Sequence, residues 1–154
     1  MKTYSAENIR NFAIIGHTGK GKTTLAEAML YLAGTTDRLG RVKDGNTVMD
    51  SDPEEKKRKC SLGTSYASVE WKDTKLNILD APGKFDFEGA VGEAMRAAGS
   101  ALIVTSAGSG VDVGTEKAIK AAVSRNIAKF FAITKIDAEN RSFYKTFDAL
   151  KEEL

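Results

Sequence analysis

The densest chemical signal in the chain is the run Gly16-His17-Thr18-Gly19-Lys20-Gly21-Lys22-Thr23, a full match to the phosphate-gripping pattern G-x-x-x-x-G-K-[ST]. Its glycines let main-chain N–H groups converge on phosphate oxygens, and the following helix adds the partial positive charge of its N-terminus. Lys22 would reach the β and γ phosphates and the Thr23 hydroxyl would bind Mg²⁺. The residues expected around the phosphates are thus His17, Thr18, Gly19, Lys20, Gly21, Lys22, Thr23 and Thr24. Farther along, Asp80-Ala81-Pro82-Gly83 follows an apolar run, so Asp80 should emerge at the carboxyl end of a strand, where open α/β sheets bind ligands. That is the place for a second Mg²⁺ partner, and Gly83 can offer a bare N–H to a γ-phosphate. Thr134-Lys135-Ile136-Asp137 supplies a carboxylate able to accept from N1–H and the 2-amino group of guanine, an arrangement adenine lacks, with the Lys135 stem along the base.

Short apolar runs alternate with helix-period segments, and that order points to an α/β domain with a parallel sheet and helices on its faces. Strands are expected at Phe12–Ile15, Thr64–Trp71, Lys75–Leu79, Ala101–Thr105 and Lys129–Ile133. The second alternates Ala67, Val69 and Trp71 with Tyr66, Ser68 and Glu70, as a strand with one wet face does, and should pair antiparallel with the third across Lys72-Asp73-Thr74. Trp71 reads as strand packing. Helical stripes run Leu25, Ala28, Met29, Leu32, stopped at Gly34; Phe87, Ala90, Val91, Ala94, Met95, Ala98, softened by Gly89 and Gly92; Ala118, Ile119, Ala122, Val123, capped at Thr115; and Phe143, Phe147, Leu150, Leu154. The long polar stretch from Thr35 to Gly63 reads as a functional or disordered loop. Its basic run, Lys56 to Lys59, follows Glu54 and Glu55 and reads as a solvated loop.

A chain of 154 residues, with 42% hydrophobic and 29% charged residues, is enough for one packed domain and excludes bulk disorder. No apolar run approaches membrane-spanning length. A net charge of +2 gives no polyanion-binding face, so direct DNA binding is not expected. Cys60, the single cysteine, forms no internal disulfide and suits a reducing cytoplasm.

Residues Asn8 to Leu154 resemble the start of the GTP-binding domain of elongation factor G and its ribosome-acting relatives, including the tetracycline-resistance ribosomal protection proteins. The likeness rests on GHTGKGKTTLAEAMLY, GRVKDGNTVMDSDPEEKKRKCS, DAPGKFDF, GVDVGTEKA and TKID at the family's spacing, and runs to the elongation factor G-like branch. It implies a Ras-like P-loop GTPase fold: a mostly parallel sheet with one antiparallel strand, helices on both faces, and a final, sixth strand missing from a GTP-binding domain spanning 1–154. It further implies a fragment of a longer multidomain factor that takes GTP, GDP and Mg²⁺ and meets the ribosome through the full-length protein, without a membrane, and it offers ribosomal RNA as an alternative contact for Lys56 to Lys59.

The resemblance also shows where this chain departs from its family. Gly19 stands where the family usually has Asp. The family's Arg-Gly-Ile-Thr becomes Arg58-Lys59-Cys60-Ser61, with Ser61 keeping a hydroxyl for Mg²⁺. Thr134 replaces Asn. Lys84 takes the place of the His that orients the attacking water, and a cationic lysine pairs with phosphate but takes no proton, so intrinsic hydrolysis should be slow; Gly83 and Lys84 are the expected catalytic positions. Three alternatives remain open from the residues: a GTP-binding module with decayed catalysis, a ribosomal protection factor, and, against Asp137, a P-loop ATPase.

Overall fold

The structure, a computed structural model, describes residues 2–108 and 110–152. Strands β1 (Ile9–Ile15), β2 (Ser65–Trp71), β3 (Thr74–Asp80), β4 (Ser100–Ser106) and β5 (Ala128–Thr134) form one sheet in the order β2-β3-β1-β4-β5. Every pairing is parallel except β2 with β3. The helices are α1 (Lys22–Leu32), α2 (Pro53–Arg58), α3 (Glu88–Ala97), α4 (Val113–Ser124) and α5 (Phe143–Glu152). All five expected strands are present, some longer than their apolar runs. β1 already pairs Ile9 with Lys75, because ladder hydrogen bonds continue where Arg10 and Asn11 have left the core.

Side chains of β1 alternate between two cores. Ala13 and Ile15 point to α3 and α4, where Ala94, Met95, Ala118 and Ile119 are buried, while Ile14 points to Ala26 and Leu30 of α1. The β2–β3 hairpin turns on Lys72 and Asp73, both left-handed at φ 45° and 61°, the twist that two-residue hairpins favour. Thr74 belongs to β3 rather than to the turn, and Trp71, opposite it, is half-exposed instead of packed.

The inward face of α1 differs from the apolar stripe. Leu25 and Met29 only flank the core, Leu32 lies at the surface, and the buried positions are Lys22, Thr23, Ala26, Glu27 and Leu30. The phosphate loop sets this rotation: once Lys22 and Thr23 face the cavity, Ala26 and Glu27 follow one turn later. Gly34 does end the helix, with the Thr35 N–H donating to the Leu30 carbonyl at 2.9 Å and the Gly34 N–H to Tyr31.

Three further expectations are corrected. The polar stretch is not all loop, since it holds a 3₁₀ turn (Val42–Asp44) and α2. Asp52 caps α2 in a reciprocal box with Glu55, Pro53 opens it, and the basic run occupies its last turn. The cap of α4 is Asp112, not Thr115; Asp112 Oδ1 accepts from the Thr115 N–H at 2.9 Å and the Thr115 hydroxyl at 3.0 Å, which buries Thr115 as the third helical residue. In α5 only Leu150 of the expected stripe is buried; Phe143 and Phe147 stack on each other at 6.0 Å while half-exposed, and Leu154 lies outside the described residues.

Candidate functional site

A cavity opens at the carboxyl ends of β1 and β3, lined by Thr18, Gly19, Gly21, Lys22, Thr23 and Thr24 from the loop and first turn of α1. Gly83 and Lys135 line it from two other loops, and Val42, Asp50, Lys59, Cys60 and Ser61 wall it from the polar segment. Gly16, Gly19 and Gly21 all hold positive φ, which turns the loop around its own N–H groups. Gly83 packs so closely that a Cβ there would collide with Lys22 Nζ and lie 2.6 Å from the Thr18 nitrogen. The turn after β3 therefore touches the phosphate loop directly.

Lys22 is buried and its ammonium donates to the His17 carbonyl at 3.0 Å. Burial lowers its pKa, while Asp80, Asp50 and Asp112 work in the opposite direction. Asp80 ends β3 with no exposed surface, and neither of its oxygens has a hydrogen-bond partner. Burial pushes its pKa up to about 7, opposed by the neighbouring Thr23 hydroxyl and the Lys22 ammonium. The Thr23 hydroxyl lies 3.2 Å from that of Ser61, which donates to Asp50 Oδ1 at 2.7 Å. Asp50 is itself buried, its pKa raised by desolvation against the Ser61 hydrogen bond, and its Oδ2 is unpartnered. Two hydroxyls and two carboxylates, three of whose oxygens lack partners, suit a small hard cation such as Mg²⁺ beside the phosphate loop.

The loop after β5 is tied to the phosphate loop. The Thr134 hydroxyl lies 2.7 Å from the Lys20 carbonyl and 3.1 Å from that of Thr105, and Lys135 Nζ donates to the Gly19 carbonyl at 2.6 Å. Asp137 sits on the exposed turn beyond, outside the lining of this cavity.

Two side chains of the phosphate loop lie outside the lining of this cavity. Lys20 pairs with Asp112 at 2.8 Å and donates to Ser106 at 3.3 Å, bracing the loop on the cap of α4. Burial works to raise the Asp112 pKa, but the Lys20 and Thr115 hydrogen bonds win and hold it below the ordinary carboxylate value. His17 packs against Gly114 and lies 5.6 Å from the Phe85 ring. Lys84 is also elsewhere: it is exposed and lines a neighbouring cavity between α3 and α4, with Met95, Lys117 and Arg125. Sequence reasoning missed Asp50. Its only local signal is that it lies just ahead of the Asp52 cap, and nothing in that spacing marks it as facing Thr23.

A family model described as the elongation factor Tu GTP binding domain matches residues 7–154. The chain is 36% identical over 154 residues to elongation factor G of Granulibacter bethesdensis, a match covering 100% of this chain and 22% of that protein. It is 37% identical over 148 residues to the mitochondrial ribosome-releasing factor 2 of Scheffersomyces stipitis, covering 96% of this chain and 18% of that one. A crystal structure of a Thermus thermophilus protein superposes with a TM-score of 0.90 at 39% identity, over 94% of this chain and 22% of that one. The chain thus spans about a fifth of the length of these relatives.

Proposed function

The chain belongs to the elongation factor Tu GTP binding domain family, and from that membership we propose that it binds GTP and GDP with Mg²⁺ as the nucleotide switch of a longer, ribosome-linked factor. One observation carries the reading: a fully buried Asp80 with both oxygens unpartnered, beside Thr23 and Lys22, which line a cavity rimmed by the phosphate loop. A buried carboxylate without partners is costly unless a ligand completes it.

In this proposal the main-chain amides of residues 18–24 receive the phosphates. Lys22 exchanges its hydrogen bond to the His17 carbonyl for one to a β or γ oxygen, moving little because it already faces the cavity. Bound Mg²⁺ would neutralise part of the phosphate charge, held by Thr23, Asp80 and Ser61, with Asp50 behind them. Asp137 reads guanine, and Thr134 and Lys135 keep its loop at a set distance from the phosphates. Any contact of the γ-phosphate with Gly83 is felt at once by Thr18 and by the start of α3, which gives the switch its coupling. Cleavage of GTP to GDP then releases Gly83 and Ser61. The ribosome is met by the rest of a multidomain factor in the cytoplasm, and residues 1–154 supply its GTP-binding domain.

The test is a titration with a fluorescent guanine nucleotide, with ATP as competitor. Guanine should be preferred over adenine, and Asp137→Asn should shift preference towards xanthine. Equal affinity for ATP and GTP would overturn the guanine reading.

A second reading, a GTP-binding module with weak catalysis, is favoured by one observation: Lys84 stands at the position expected to orient water yet lines the cavity between α3 and α4.

A further inference from the structure

Glu27 is a buried carboxylate that the nucleotide chemistry does not use. It is 1% exposed on α1, one turn after Thr23 and on the same inward face. Its Oε1 accepts the Val48 N–H at 2.8 Å and the Met49 N–H at 2.9 Å. Its Oε2 packs against Gly40, where a Cβ would collide with it and lie 2.9 Å from the Thr47 Cα. One carboxylate oxygen therefore holds residues 48 and 49, while the other, without a hydrogen-bond partner, packs against Gly40.

The residue after Met49 is Asp50, whose Oδ1 accepts from Ser61, whose hydroxyl meets Thr23. These contacts close a ring that leaves α1 at Thr23, passes through Ser61, Asp50 and Met49, and returns to α1 at Glu27. The Met49 side chain lies in the apolar cluster with Ala26 and Leu30, so hydrophobic packing alone keeps the segment near α1. Packing is non-directional and does not choose which N–H faces the helix. Two hydrogen bonds to a charged acceptor do choose, and they set the direction of Asp50.

We propose that Glu27 is a positioning residue: by holding the Val48 and Met49 N–H groups against α1, it aims Asp50 and Ser61 at Thr23 and so builds one wall of the cation site before nucleotide arrives. The proposal rests on the nucleotide-binding reading above and names a residue that supports it without touching the ligand. A carboxylate acting on a metal through other residues typically changes metal affinity by about 10–100-fold when lost.

The test compares Glu27→Ala, Glu27→Gln and Gly40→Ala with the wild-type chain. Amide exchange is measured without nucleotide, and fluorescent guanine nucleotide is titrated in EDTA and across a Mg²⁺ series. Glu27→Ala should speed exchange at residues 48–50 and raise the Mg²⁺ concentration for half-maximal retention by about tenfold, with affinity in EDTA within about twofold. Glu27→Gln keeps an acceptor oxygen and should recover most of both. Gly40→Ala, which pushes on Oε2 from the other side, should behave like Glu27→Ala and covers the case in which that variant does not fold. An unchanged Mg²⁺ requirement overturns the proposal, and so does an equal affinity loss in EDTA and Mg²⁺, the mark of a general structural role. If the wild-type chain holds no guanine nucleotide, the functional reading falls instead; unchanged exchange at Asp50, Ser61 and Leu62 in both loosening variants then overturns the positioning claim by itself.

Discussion

Replacing Asp80 with Asn should stabilise the nucleotide-free chain, by an amount that grows with pH. Folded Asp80 keeps its proton up to about 7, against a usual value of 3.8, so between those values the folded chain carries more protons than the unfolded one. Stability therefore falls as pH rises through that window. At about 1.4 kcal/mol per pH unit, the span from 3.8 to about 7 corresponds to about 4 kcal/mol. Part of that is already lost at pH 5, so the gap between Asp80→Asn and wild type should widen by about 3 kcal/mol between pH 5 and pH 8. Asn matches Asp in shape and carries no charge, so the difference reports the buried carboxylate together with its coupling to Lys22 and Asp50 and cancels the distant titrating groups. Urea unfolding in EDTA at the two pH values measures it. With Mg²⁺ and GTP the order should reverse, because the wild-type carboxylate then has its partner and the amide does not. A gap that stays constant to within about 1 kcal/mol, or narrows at pH 8, refutes the claim that Asp80 is held protonated by burial.

Two other changes read neighbouring parts of the site. Gly83→Ala puts a Cβ 2.6 Å from the Thr18 nitrogen and 2.7 Å from its Cα; main chain cannot step aside, so about 1–3 kcal/mol of strain should appear as about 5- to 150-fold weaker nucleotide binding by calorimetry. Affinity within twofold of wild type would show that the turn after β3 yields. Lys84→His should speed single-turnover phosphate release by about tenfold or more, with the turn after β3 carrying position 84 out of the cavity between α3 and α4 to the attacking water; an unchanged rate would mean that slow hydrolysis has another cause.

What could be read along the chain was whatever depends on short spacing. Gly16 to Thr23, Asp80 to Gly83 and Thr134 to Asp137 each sit at a strand's carboxyl end, and the alternation of apolar runs with helical stripes gave the strand count and the one antiparallel pair. α2 was legible too, in the spacing of Asp52, Pro53 and Glu55, but the length of the surrounding polar stretch hid it. The misread rotation of α1 has a different origin. Leu25, Met29 and Leu32 make a plausible apolar face, yet the loop before the helix commits Lys22 and Thr23 inward, and a rigid helix then carries Ala26 and Glu27 in with them.

The residue types and their local order determined the phosphate loop, the five strands and their one antiparallel pair, because main-chain conformation and helix or strand period are set within a few residues. Only the folded chain decided that Ser61 joins Asp50 to Thr23, that Lys20 pairs with Asp112, and that Glu27 holds Val48 and Met49. The Glu27 and Lys20 contacts join residues 21 to 92 positions apart, and the hydrogen bonds and ion pair that offset the cost of burying these polar groups do not exist until the chain has closed on itself.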